Sequence, residues 1–211
     1  MPSTPESSAA LFDLSPVIPV VVVETVEQAV PVARALADGG VPVVELTLRT
    51  PVALDAIRAI AAEVPDVVIG AGTITSPDLA KKAAEAGARF LVSPGATPSL
   101  LAAMQDTGLP FLPGTATVSE ALAVLETGHT AMKFFPAEPS GGAKYLGSLP
   151  TVLQDARFCP TGGVSIINAP SYLALPNVGC VGGSWLTPAD ALAAGDWEKV
   201  RTLAEGAAAL R

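Results

Sequence analysis

Eight short apolar runs, each followed by an alanine-rich stretch of helical spacing, predict an α/β protein of the (β/α)8 TIM-barrel class. Two further observations favour the barrel over a doubly wound open sheet. Such a sheet usually has fewer strands, and the turn after the first run, Val23-Glu24-Thr25-Val26, has no glycine to receive a dinucleotide phosphate. Residues 1–211 read as one barrel domain, with 1–15 as an N-terminal extension whose Leu11, Phe12 and Leu14 could form a short helix covering the barrel floor.

In chain order the strand candidates are 17–23, 42–47, 67–70, 89–92, 110–113, 130–134, 157–160 and 178–181, each a short apolar run. The helix candidates between and after them are 26–38, 51–63, 77–86, 98–107, 118–127, 143–154, 165–174 and 188–208. Start and stop signals support several of these helices: Pro51 and Pro77 stand at first-turn positions, and Gly39, Gly87, Gly108 and Gly128 follow the last helical residues. The prolines are spread along the chain, many at strand ends or helix starts, where they suit the turns of a barrel.

Half of the residues are apolar, the net charge is -8, and there is no basic run, which argues against a nucleic-acid or membrane-surface partner. A bound phosphate would therefore have to be held mainly by backbone. Cys159 and Cys180 lie at or near the ends of apolar runs, as reduced core thiols do. With one histidine, His129, and no paired cysteines there is no zinc or iron ligand set, so neither metal nor cofactor is expected. His129 reads as a helix-end or loop residue. The start of the chain has no basic leader, and the run 17–23 is too short to span a bilayer, so a cytoplasmic location is expected.

Lys133 stands among apolar residues in Met132-Lys133-Phe134-Phe135-Pro136, where lost hydration favours the free amine, a nucleophile towards carbonyls. Period-two alternation sends Met132 and Phe134 outward and Lys133 towards the axis. On the second strand the same parity turns Leu46 and Leu48 outward and Glu45, Thr47 and Arg49 inward. A lysine, a carboxylate and a guanidinium would then share one pocket mouth. Thr161-Gly162-Gly163-Val164-Ser165 and Gly182-Gly183-Ser184 follow the last two strands, where barrels of this class hold phosphate on backbone N–H groups. The substrate so described carries a carbonyl and a carboxylate at one end and a phosphate at the other.

The blocks GVPVVELTLR at 40–49 and GHTAMKFFPA at 128–137 resemble the two signature blocks of the 2-keto-3-deoxy-6-phosphogluconate aldolase family. The resemblance runs from about residue 16 to about residue 194 and includes GAGT at 70–73, SPG at 93–95, FCPTGG at 158–163 and GGSW at 182–185. It implies a class I aldolase that forms a Schiff base at Lys133, with Glu45 moving protons and Arg49 and Thr73 holding the substrate carboxylate. Pro94 and Phe135 would line the pocket, and Thr161 would set stereochemical preference. Gly162, Gly163, Val164 and Ser184 would take the phosphate, together with Gly182 and Gly183 of the second glycine pair.

The resemblance also implies a homotrimer. The reaction expected is cleavage of 2-keto-3-deoxy-6-phosphogluconate to pyruvate and glyceraldehyde 3-phosphate, as in the Entner-Doudoroff pathway. The galactonate epimer and 4-hydroxy-2-oxoglutarate would use the same lysine chemistry. A phosphosugar isomerase or epimerase, and a barrel that binds a phosphorylated ligand without chemistry, are the rival readings; neither needs a Schiff-base lysine.

Overall fold

The computed structural model describes residues 5–210, so residues 1–4 of the expected N-terminal extension lie outside the description. Among the described residues the strands are β1 (Val17–Val21), β2 (Val43–Thr47), β3 (Val68–Gly72), β4 (Leu91–Val92), β5 (Phe111–Leu112), β6 (Gly114–Thr115), β7 (Ala131–Phe134), β8 (Arg157–Pro160) and β9 (Val181–Gly183). The α-helices are α1 (Ala29–Asp38), α2 (Ala53–Glu63), α3 (Pro77–Glu85), α4 (Pro98–Asp106), α5 (Val118–Leu125), α6 (Gly142–Leu146), α7 (Ala169–Leu173), α8 (Ala189–Ala194) and α9 (Trp197–Ala208).

The fold is mixed α/β on parallel strands. β1, β2 and β3 are buried along their whole lengths, as expected of parallel strands with both faces covered. Hydroxyl caps start the helices between them: Ser76 accepts from the Leu79 N–H ahead of Pro77, and Thr97 accepts from Leu100 ahead of Pro98. Thr117 and Glu120 form a reciprocal capping box on α5. No helix among the described residues is long and apolar enough to cross a membrane.

Several expected elements change. The strands do not form one ring of eight: six pair in the order β5-β4-β3-β2-β1-β9 and three in the order β6-β7-β8. The fifth candidate strand, 110–113, is cut at Pro113, which has no N–H to give a ladder, although its carbonyl accepts from Lys133 N at 2.9 Å. Between β8 and β9 the described residues form no ladder, only the isolated bridges Phe158↔Val178, ahead of β9, and Thr161↔Gly182, just past β8. The last strand is Val181–Gly183 rather than 178–181: Val181, Gly182 and Gly183 pair with Val17, Ile18 and Pro19 of β1, whereas Val178 makes only a single bridge to Phe158 of β8.

Three helices are shorter than expected. The candidate at 143–154 ends at Leu146 and resumes as a 3-10 turn at Leu149–Thr151. The one at 165–174 starts only at Ala169, because Asn168 Oδ1 takes the Ser165 N–H at 2.7 Å. The one at 188–208 is divided at Gly195, after which Asp196 caps α9 by accepting from Lys199 N. The N-terminal helix is a 3-10 helix, Ala9–Asp13, with Leu11 and Phe12 buried. It lies at the strands' N-terminal ends, where Ser8 Oγ accepts from Phe111 N and the Arg157 guanidinium sits over the Phe12 ring.

Candidate active site

The two sheets are joined across the interior by their buried charges. Lys133 on β7 projects its Nζ to 3.2 Å from Oε1 of Glu45 on β2, and the two residues are only 4% and 3% exposed. Each is set by local structure. Outward-turned Phe134 packs on Tyr145 of α6, which leaves neighbouring Lys133 facing in, with its Nζ 5.2 Å from the Phe135 ring centre. Glu45 has room because Gly72, two residues along β3 from its register partner Gly70, carries no side chain: a Cβ there would overlap the Glu45 carboxylate.

That close approach gives a prediction. Gly72→Ala is expected to displace Glu45 from Lys133 and lower kcat by about a hundredfold, the cost of misplacing a reacting group by about an ångström. Steady-state kinetics alongside a circular dichroism spectrum measures it. Wild-type turnover in the variant would show that the position of Glu45 is not critical.

Beyond the C-terminal ends of the strands lies a cleft of about 230 Å³ lined by Arg49, Phe135, Thr161, Val164, Ser184 and the glycines of both Gly-Gly pairs, with Val20 and Val22 as its apolar wall; Phe135, two residues past Lys133, brings it close to the buried pair, although neither Lys133 nor Glu45 lines it. Arg49 is the one charged side chain in this lining. Its Nε donates to Thr73 Oγ1 at 3.1 Å, and among the described residues it has no carboxylate partner. Thr73 holds this hydroxyl in place from a left-handed backbone, φ 61°, a conformation costly for a β-branched residue and seldom kept without a use.

Pro94, like Lys133, Glu45 and Thr73, lies outside the residues that line this cleft. Its carbonyl packs against Gly114, the register partner of Lys133, so it supports the lysine's strand from behind. Thr47, expected to face the axis, is buried, and its hydroxyl donates to Val21 O at 3.1 Å, tying β1 to β2.

The Thr161–Val164 loop leaves successive backbone N–H groups without a protein acceptor. Three successive carbonyls are taken by protein donors: Thr161 O accepts from Ala137 N at 2.8 Å, Gly162 O from Glu138 N at 3.0 Å and Gly163 O from Asn168 Nδ2 at 3.1 Å. A trans peptide points its N–H opposite its C=O, so the N–H groups of Gly162, Gly163 and Val164 face the other way. No acceptor among the described residues takes them. The turn requires left-handed backbone at Gly162, φ 101°, and Gly163, φ 81°, which only glycine adopts readily. Successive free N–H groups in such a glycine turn can hold phosphate or carboxylate oxygens.

Asn168, Glu138 and Tyr172 were not among the residues singled out from sequence. Asn168 accepts from Ser165 N and Ser165 Oγ as well as donating to Gly163 O. A Ser-x-x-Asn spacing right after the glycine pair was the available signal. Glu138 lies one residue past the second signature block, and Tyr172 carried no local signal. His129 stacks on Phe111 with ring centres 4.3 Å apart, and burial lowers its pKa, as for a neutral packed ring.

A sequence model of the family described as KDPG and KHG aldolase matches residues 9–203. The KHG/KDPG aldolase of Escherichia coli K12 is 50% identical over 201 residues, covering 95% of this chain and 94% of that one. The 2-dehydro-3-deoxy-phosphogluconate aldolase of Pseudoalteromonas atlantica is 49% identical over 203 residues, covering 96% and 94%. Among solved structures, the KDPG aldolase of Legionella pneumophila, with pyruvate captured as a covalent carbinolamine, superposes with a TM-score of 0.94 at 44% identity over 96% of this chain and 98% of that one. The enzyme of Zymomonas mobilis with 3-phosphoglycerate superposes with a TM-score of 0.92 at 42% identity, covering 98% and 97%.

Proposed function

The chain belongs to the KDPG and KHG aldolase family, and from that premise we propose that this aldolase cleaves 2-keto-3-deoxy-6-phosphogluconate through a Schiff base at Lys133. The observation that carries the mechanism is the buried Lys133–Glu45 pair close to a cleft whose only charged lining side chain is Arg49.

The Lys133 amine adds to the C2 ketone and water leaves, giving an iminium that can accept an electron pair. Glu45, directly or through a water, takes the proton of the C4 hydroxyl. The C3–C4 bond breaks, its electrons pass into the iminium as an enamine, and glyceraldehyde 3-phosphate departs. Glu45 returns the proton to C3, and hydrolysis of the resulting iminium releases pyruvate and restores the lysine. The carboxylate end of the substrate is held by the Arg49 guanidinium, set by Thr73, in charge-assisted hydrogen bonds. The phosphate end sits in the nest of Gly162, Gly163 and Val164 opposite Gly182, Gly183 and Ser184. Phe135 packs on the reacting carbons, Pro94 backs the lysine's strand, and Thr161, whose hydroxyl lies against Gly182, faces C4 and sets its stereochemistry.

The two sheets act as one (β/α)8 barrel in a single domain, a reading supported by the Thr161↔Gly182 bridge and the Lys133–Glu45 contact between them. By family resemblance the assembly is a homotrimer in the cytoplasm, working in Entner-Doudoroff sugar-acid breakdown. Light scattering tests the first of these.

Release of pyruvate from the phosphorylated keto acid, followed by a coupled dehydrogenase assay with both C4 epimers, tests the reaction. The gluconate epimer is expected to be turned over, and absence of pyruvate release from either would sink the proposal.

A further inference from the structure

The anion nest has a carboxylate immediately behind it, an awkward neighbour for a phosphate site. The Glu138 backbone N–H holds the Gly162 carbonyl at 3.0 Å, and the Glu138 stem lies over Gly163, where a Cβ would be 2.7 Å from Glu138 Cβ and Cγ. Its carboxylate does not reach into the cleft. It accepts a hydrogen bond from the hydroxyl of Tyr172 on α7, and the two head groups meet over Gly142 at the start of α6. The Tyr172 ring is fully buried, so the hydroxyl is a fixed point. Burial, and then the carboxylate it faces, push the phenol above its ordinary range and keep it a donor.

We propose that Tyr172 and Glu138 are positioning residues that brace the nest from behind, Tyr172 pinning the Glu138 carboxylate over Gly142 so that its charge stays away from the substrate phosphate. The inference rests on the aldolase reading above and adds to it a control on how tightly the phosphorylated end is held. Neither residue touches the reacting atoms. Released from Tyr172, the carboxylate could swing about its stem towards the nest, and like charges would weaken phosphate binding.

The test compares Tyr172→Phe, which keeps the ring, with the double variant Tyr172→Phe/Glu138→Gln. Tyr172→Phe is expected to raise the KM for the phosphorylated keto acid about fivefold, the scale of one hydrogen bond, with kcat within about twofold. Half-saturation by pyruvate in borohydride trapping, which does not use the phosphate site, is expected to stay put. Adding Glu138→Gln removes the charge and is expected to bring KM back to within about twofold of wild type.

An unchanged KM in Tyr172→Phe overturns the brace. So does a parallel loss of pyruvate saturation, which marks a merely structural role, and so does a raised KM that Glu138→Gln fails to relieve. The wild type is assayed first on the same keto acid with and without its phosphate. Indifference to the phosphate would overturn the phosphate assignment together with the brace, whereas discrimination by the wild type combined with any of the other failures overturns the brace alone.

Discussion

Lys133→Met protein treated with pyruvate and borohydride is expected to gain no mass, and its cleavage rate is expected to fall by on the order of 10⁴-fold or more. Lys133 is the one lysine among the buried residues. Lys81, Lys82 and Lys199 have exposed side chains paired with Glu85, Asp78 and Asp190, Lys144 is exposed as well, and solvent-exposed ammonium groups are poor nucleophiles near neutral pH. Wild-type protein should therefore carry a pyruvate-derived increment on the peptide containing Lys133 and on no other. An adduct of similar yield in the Lys133→Met protein would move the chemistry to another amine, and an unmodified but folded wild type would remove Schiff-base chemistry altogether.

The same substitution has a separable cost in stability. It leaves the Glu45 carboxylate, 3% exposed, without its cation, a change expected to cost about 3–5 kcal/mol. Replacing both partners, Lys133→Met with Glu45→Gln, leaves no unpaired charge, and urea denaturation is expected to recover most of the loss with activity still absent. Full recovery of stability without activity separates the pair's structural part from its chemistry. No stability loss in Lys133→Met would mean that the pair is wetter than its burial indicates.

The parts of the fold that could be read from sequence were those set by local periodicity. Alternation along 42–47 and 130–134 was enough to turn Glu45 and Lys133 to one side, and they lie 3.2 Å apart although 88 residues separate them. What alternation does not encode is how a ladder closes. The cut at Pro113 depends on a missing N–H on one strand, and the displaced last strand on a register that pairs Val181–Gly183 with Val17, Ile18 and Pro19 while Val178 bridges to Phe158. Thr47 had the inward parity but found a closer partner in Val21 O, an outcome fixed by the β1–β2 register. The glycine pairs marked the loop, whereas the donors that take its carbonyls, the N–H groups of Ala137 and Glu138 and the amide of Asn168, come from two different segments. Side chains that act by holding backbone leave little trace in a one-dimensional pattern.

Glu45→Gln is expected to keep pyruvate trapping and lose turnover by about 10²–10⁴-fold, the range for removal of a general acid–base. The substitution keeps the shape in the space opened by Gly72 and an oxygen that can accept from Lys133 Nζ, so the iminium can still form. In the proposed mechanism, what disappears is the group that takes a proton from the C4 hydroxyl and returns one to C3. These two steps can be read apart. Exchange of the pyruvate methyl protons in deuterated water, followed by NMR, reports only the C3 step and needs no aldehyde. If Glu45 serves both, exchange and cleavage should fall together in Glu45→Gln while the trapped adduct forms at near wild-type yield. Exchange at the wild-type rate with cleavage lost would assign the C3 proton to another carrier and leave Glu45 only the C4 hydroxyl. Cleavage at the wild-type rate would remove Glu45 from the chemistry and reduce it to the counter-ion of Lys133.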